Sequence, residues 1–186
     1  MALFSKDLGI DLGTVYTRIS EGGEVVLQAP TIVSVEIETE NMIAVGDESL
    51  SMVGRVSAEN FEVVRPLRNG VVAYYEITRN LLMKLTERVT GTFRLSKPNV
   101  MITYPYDITS VERRAVHEAA LEISSNAEPI PQPLAAAIGI DLPINTPTGN
   151  MIVSLGGGCT QAAVIALYEI VSGETLRQGG LTLDEA

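Results

Sequence analysis

The spacing of apolar residues predicts an alternation of strands and helices. Leu8 to Leu12 reads as a buried strand that stops at Gly13, and Val15 to Ser20 as a second strand turning at Glu21-Gly22-Gly23 into Val25-Val26-Leu27. Ile32 to Ile37 alternates apolar and polar, breaks at Thr39-Glu40-Asn41 and resumes at Met42 to Val45, the pattern of a half-exposed hairpin in a small outlying lobe at about residues 31–60. Ile77, Leu81, Leu82, Leu85 and Val89 fall at helical spacing and predict a helix over 75–89 that ends at Thr90-Gly91. Asn99 to Tyr104 is a strand closed by Pro105, and Thr109 with Glu112 forms a capping box opening a helix through Val116, Ala119 and Ile123. A short small-residue helix is predicted at Leu134 to Ile138, then strands at 151–155 and 160–167 joined by Gly156-Gly157-Gly158. Strands alternating with helices give an α/β class.

Composition narrows the function. With 46% apolar and 19% charged residues the chain is globular, and no apolar run approaches the roughly 20 residues needed to cross a bilayer. Met1 to Lys6 is too short for a secretory signal, and the single cysteine, Cys159, cannot form an internal disulfide, so a cytoplasmic location is expected. The net charge of −10 argues against nucleic-acid binding. Most bases fall in the middle third: residues 61–128 carry nine of the 13 Lys and Arg.

Two segments carry the chemistry. Gly9-Ile10-Asp11-Leu12-Gly13-Thr14 and Ile152-Val153-Ser154-Leu155-Gly156-Gly157-Gly158 each end an apolar strand in a polar residue and then glycine. Glycine lets backbone amides approach an anion closely, so a pair of such hairpins suits the phosphates of one ligand. His117 has no second histidine or nearby cysteine with which to share a metal, and no Gly-x-Ser-x-Gly elbow supports a serine hydrolase.

These runs, together with Val63-Val64-Arg65-Pro66-Leu67-Arg68-Asn69-Gly70-Val71, Val111-Glu112-Arg113-Arg114-Ala115-Val116 and Pro133-Leu134-Ala135-Ala136-Ala137-Ile138-Gly139, resemble the MreB family of bacterial actin homologues over essentially the whole chain. The glycine hairpins are shared with the wider superfamily of actin, sugar kinases and DnaK-type chaperones. The resemblance implies an actin-like ATPase (ribonuclease H-like) fold, with a first domain over 1–148 and a truncated start of a second over 149–186. It implies a filament subunit that binds ATP and Mg²⁺, lies in the cytoplasm peripheral to the inner membrane, and works with cell-wall elongation proteins. Leu12, Gly13 and Thr14 would hold terminal phosphates, with Asp11 on Mg²⁺ through water; Gly156, Gly157, Gly158, Cys159 and Thr160 would form the second phosphate loop; Gln132 would position the attacking water. Membrane contact would fall to Leu3 and Phe4 and to Phe93 and Leu95, whose loop alternatively packs inward at a helix end.

The sequence departs from the family at this site. Ser154 stands where the family usually has Asp, Gln132 and Gln161 where it has Glu, Cys159 where it has the first Thr of a pair, and Val15-Tyr16 where it has a small residue and Asn. A neutral amide cannot accept a proton as a carboxylate does, so hydrolysis is expected to be weak or lost. Two other readings stand beside this one: a non-catalytic interaction module or fragment that binds no nucleotide, and a phosphotransferase of the sugar-kinase branch.

Overall fold

The computed structural model describes residues 6–39, 41–55, 60–91 and 96–184. The chain opens with an antiparallel meander, β1 (Asp7–Leu12), β2 (Tyr16–Glu21) and β3 (Glu24–Pro30). It then leaves for a separate sheet built from β4 (Val33–Glu36), β5 (Met42–Val45), a short helix α1 (Asp47–Met52) and β6 (Phe61–Val64), with β4 in the middle. A two-residue ladder, β7 (Leu67–Arg68) with β8 (Val71–Val72), leads back to α2 (Tyr75–Thr90), β9 (Asn99–Tyr104), α3 (Ser110–Ile123) and β10 (Asn126–Pro131). The remainder is α4 (Gln132–Gly139), an antiparallel sheet of β11 (Asn150–Leu155), β12 (Thr160–Ala166) and β13 (Glu169–Leu176), and α5 (Gly180–Asp184).

The main sheet has the order β10-β9-β1-β2-β3, with β9 parallel to both β1 and β10. Helical crossovers permit parallel neighbours, and α2 and α3 supply them. Alternate residues of β1 and β9 (Leu8, Ile10, Leu12, Val100, Ile102) point into one core with Leu81, Leu82 and Leu85 of α2 and Val116, Ala119, Ala120 and Ile123 of α3. The opposite residues of β1, Asp7, Gly9 and Asp11, are left for chemistry or solvent. The Thr109 capping box forms as predicted, its hydroxyl accepting from the Glu112 amide while Glu112 accepts from the Thr109 amide.

Two strands have no clear signal in the sequence. β10 holds Pro129 and Pro131, which lack an N–H and ordinarily argue against a strand; it survives because it is the sheet edge and pairs only with β9. β13 has mostly exposed and half-exposed positions with Gly173 inside, and its glycine admits the ring of Tyr106, whose carbon would lie 2.8 Å from an added Cβ. α4 joins the main sheet to the β11-β12-β13 sheet: Ala137 and Leu134 pack with Ile144, Ile152, Ile165 and Ile170 in a second small core, while its N-terminus follows directly on β10.

Candidate functional site

The two glycine hairpins close in the same way. In the first, Gly13 N–H donates to Tyr16 O at 3.2 Å around the loop Thr14-Val15; in the second, Gly156 N–H donates to Cys159 O at 2.9 Å around Gly157-Gly158. The loop tips touch. A Cβ on Gly157 would lie 2.1 Å from Val15 Cγ2, and one on Gly158 would lie 2.3 Å from Thr14 Oγ1 and 2.9 Å from the Gly70 nitrogen. Glycine is required at both positions by close approach rather than by backbone angle. Gly70, at φ 84, donates its N–H to Thr14 Oγ1 at 3.0 Å and so fastens the preceding loop to the first hairpin.

Between the hairpins lies a cleft of about 180 Å³. It has room for phosphate groups, not for a whole nucleotide, since pockets for molecules of that size run to roughly 300 Å³ and above. Asp11, Leu12, Gly13 and Thr14 line it from one side and Gly156, Gly157, Gly158 and Cys159 from the other, with Gln132 between. Thr160, expected alongside them, stands outside and donates its hydroxyl to Gln178 O at 3.0 Å. The amides divide as sequence patterns cannot show. Those of Gly13 and Gly156 close their hairpins, and that of Leu12 donates to Thr103 Oγ1 at 3.3 Å. The amides of Thr14, Val15, Gly157 and Gly158 have no hydrogen-bond partner among the described residues, so these are the donors left for an anion.

Among the described residues Asp11 is the only acid lining the cleft, and it is already well partnered. Its Oδ1 accepts from Thr103 Oγ1 at 3.0 Å and Gln132 Nε2 at 3.1 Å, and its Oδ2 accepts from Arg18 Nη1 at 3.3 Å. Gln132 Oε1 in turn accepts from Gln161 Nε2, and Gln161 Oε1 accepts from Tyr106 N–H at 2.7 Å. Gln161, 1% exposed, is legible in the sequence as a departure from the family pattern, and only its contacts make it an organiser of the cleft; its alternation on β12 puts it inward and its position opposite Ser154 fixes its height. Ser154 itself does not line the cleft.

The donor set fits phosphate better than it fits a metal. No group of three or more His, Cys, Asp or Glu gathers among the described residues. Mg²⁺ commonly binds through one or two carboxylates plus waters and substrate phosphates; here one carboxylate is present and a guanidinium already faces it. Cys159 is buried, 5% exposed, and burial pushes its thiol pKa up, with Arg177 a smaller opposing influence, so it serves as packing beside Gly70 rather than as a nucleophile. His117 is part-buried and faces Ala127 O at 3.1 Å. Leu3, Phe4, Phe93 and Leu95 lie outside the described residues. No helix among the described residues is long and apolar enough to cross a membrane.

A sequence model of the family described as MreB/Mbl protein matches residues 5–186. The chain is 38% identical over 184 residues to the cell shape-determining protein Mbl of Bacillus cereus, covering 98% of this chain and 55% of that protein. It is 37% identical over 191 residues to the cell shape-determining protein MreB of Escherichia coli strain K12, covering 99% and 55%. The chain thus spans about half the length of the curated relatives it matches. Among solved structures it is similar to MreB5 of Spiroplasma citri bound to AMPPNP, with a TM-score of 0.86 and 27% identity over 97% of this chain and 55% of that one. It shares its fold with the MamK double helical filament at a TM-score of 0.79, 23% identity, 98% and 57% coverage. The architecture is actin-like.

Proposed function

Because this chain belongs to the MreB/Mbl family, we propose that it is a cell-shape cytoskeletal protein that holds the phosphates of ATP between its two glycine hairpins and hydrolyses them weakly or not at all. The observation that carries the reading is the paired closure of the hairpins, which leaves the Thr14, Val15, Gly157 and Gly158 amides unspent around one cleft. Successive bare amides bind phosphate without covalent chemistry from the protein. The nucleotide in the Spiroplasma citri relatives, AMPPNP in one and ADP in another, supports the same occupant here.

In this reading Asp11 is the residue that would hold Mg²⁺, through water, and the ion would supply charge neutralisation of the phosphates; the protein's own part is placement. Gln132 orients a water through its carbonyl but accepts no proton, which removes acid–base help worth about 10²–10⁴ in rate. Residues 149–186 would be the opening of a second domain that completes the wall of the cleft. Assembly into filaments is supported by the likeness to the MamK filament; peripheral contact with the inner membrane and with cell-wall elongation proteins is proposed from the family resemblance alone.

A second reading, a nucleotide-free interaction module, is favoured by one observation: the Gln161-Gln132-Asp11 chain is complete without a cation. Titration calorimetry with AMPPNP, with and without Mg²⁺, separates the two. Saturable binding supports the first, and no heat at millimolar nucleotide supports the second. Phosphate release at the rate of full-length relatives, with Ser154→Asp no faster, would overturn the weak-hydrolysis part.

A further inference from the structure

A second cavity, of about 480 Å³, shares Thr14, Gly157 and Gly158 with the cleft but is otherwise lined by different residues, including Glu62, Arg65, Arg68 and Asn69. Its charge is opposite in character to that of the chain as a whole. Two guanidinium groups meet one carboxylate there, in a protein of net charge −10. Neither arginine forms an ion pair among the described residues.

Arg65 is the telling residue. Its Nη1 is buried and has no hydrogen-bond partner. Buried donors are nearly always satisfied, and an orphaned charged one is costly enough that it needs a reason. Arg68 is held differently. Its Nη2 donates to Tyr74 Oη at 3.4 Å and its guanidinium lies over the Tyr74 ring at 5.8 Å, which fixes the group while leaving most of its five donors unspent. The loop carrying Arg68 is tied to the first hairpin through Gly70 N–H and Thr14 Oγ1, so both arginines stand on a fixed frame.

We propose that this cavity is a second anion site, separate from the cleft, which takes a tetrahedral oxyanion of the phosphate class through Arg65 and Arg68. The guanidinium fork matches two oxygens of such an anion at once, and an oxyanion would give both cavity-lining arginines the counter-charge that no carboxylate supplies among the described residues. The site does not rest on nucleotide in the neighbouring cleft, because none of its charged residues belongs to that cleft. Its anion is either free inorganic phosphate or a phosphate group carried on a nucleotide.

The test is calorimetry of the full chain with inorganic phosphate, alone and after saturation with AMPPNP, for wild type, Arg65→Gln and Arg68→Gln. The expected result is saturable phosphate binding that each substitution weakens by about tenfold or more, the scale of one lost charge-assisted hydrogen bond, and that persists when AMPPNP is present. Loss of phosphate binding on adding AMPPNP, together with weaker AMPPNP binding in both variants, would mean that a nucleotide phosphate occupies the cavity and would overturn a separate site for the free anion. Absence of saturable binding, or equal binding in the variants, overturns the proposal outright. Amide shift mapping of the wild type with phosphate covers a variant that fails to fold: changes centred on 62–69 support the site, and changes centred on Asp11, Leu12, Gly13, Gln132 and Gly156, which line the cleft and not this cavity, with none at 62–69, overturn it. Should AMPPNP fail to bind, the nucleotide reading fails while the phosphate arm still reports on this cavity.

Discussion

Gln161 Nε2 donates to Gln132 Oε1, and Gln132 Nε2 donates to Asp11 Oδ1 at 3.1 Å. Along the chain each amide passes one hydrogen on and receives one, so it runs from the Tyr106 amide on one side to the Asp11 carboxylate on the other with no mismatch, and Gln161 Nε2 also donates to Cys159 Sγ at 3.7 Å. It links β12 to α4 and to β1 across the cleft. Carboxylates at both glutamine positions would set acceptor against acceptor unless a cation intervened.

Gln161→Glu is therefore expected to destabilise the protein. The acid keeps the Tyr106 N–H but cannot donate to Gln132, and a buried group left unsatisfied costs about 1–3 kcal/mol. At this size that is a fall in Tm of roughly 2–4 °C per kcal/mol. Thermal denaturation followed by circular dichroism reads it directly. In the Gln132→Glu, Gln161→Glu double variant three carboxylates converge, so Mg²⁺ should raise its Tm more than it raises that of wild type; an unchanged Tm in the single variant contradicts the chain as a structural link.

Gly157→Ala tests the contact between the hairpins. Its new Cβ would sit 2.1 Å from Val15 Cγ2, so the variant should lose about 1–3 kcal/mol as an overpacked site does. Val15→Ala removes that methyl, and the double variant should recover much of the loss, a coupling visible in a double-mutant cycle from urea unfolding. Gly158→Ala has no such partner to trim, because the clash includes the Gly70 backbone nitrogen. Independent, additive effects for Gly157→Ala and Val15→Ala would show that the tips do not touch in solution.

The ion pair of Glu112 with Arg177 ties α3 to the segment after β13 through two bonds, at 2.9 and 3.1 Å. The Arg177 guanidinium first, and the Thr109 amide and hydroxyl after it, hold the Glu112 carboxyl down from 4.5 to about 2 against an opposing push from burial. A lowered folded value favours the folded protein at pH above about 4.5, and the contribution drains away as pH falls from there toward 2. Glu112→Gln keeps a capping-box side chain but removes the charge. Its Tm should lie below that of wild type at neutral pH and meet it near pH 2; parallel curves would refute the pairing.

Cys159 should resist alkylation. A buried thiol with a raised pKa supplies little thiolate. Iodoacetamide at pH 7.5 is expected to label the native chain far more slowly than the chain in urea, as mass spectrometry would show. Rapid native labelling would mean that the second hairpin opens in solution.

Much of the fold was legible in local pattern. The 3.6-residue spacing of Leu81, Leu82 and Leu85 specified α2, the Thr109-x-x-Glu112 box marked the start of α3, and Asn99 to Tyr104 read as a strand at its observed limits. Those signals lie within one element, where periodicity and capping act over a few residues. β10 and β13 were illegible because partners outside them, β9 and the Tyr106 loop, compensate for their proline and glycine.

The sequence by itself determined the α/β class, the two glycine hairpins and the family, since each is written in contiguous residues. Tertiary structure alone decided how the hairpins are used. Gly13 and Gly156 spend their amides closing loops while Thr14, Val15, Gly157 and Gly158 keep theirs, and Gln161, Gln132 and Asp11, far apart in the chain, form one hydrogen-bonded series. A hydrogen bond depends on position within tenths of an ångström, and that position is set by how β1, α4 and β12 pack together, which no single segment encodes.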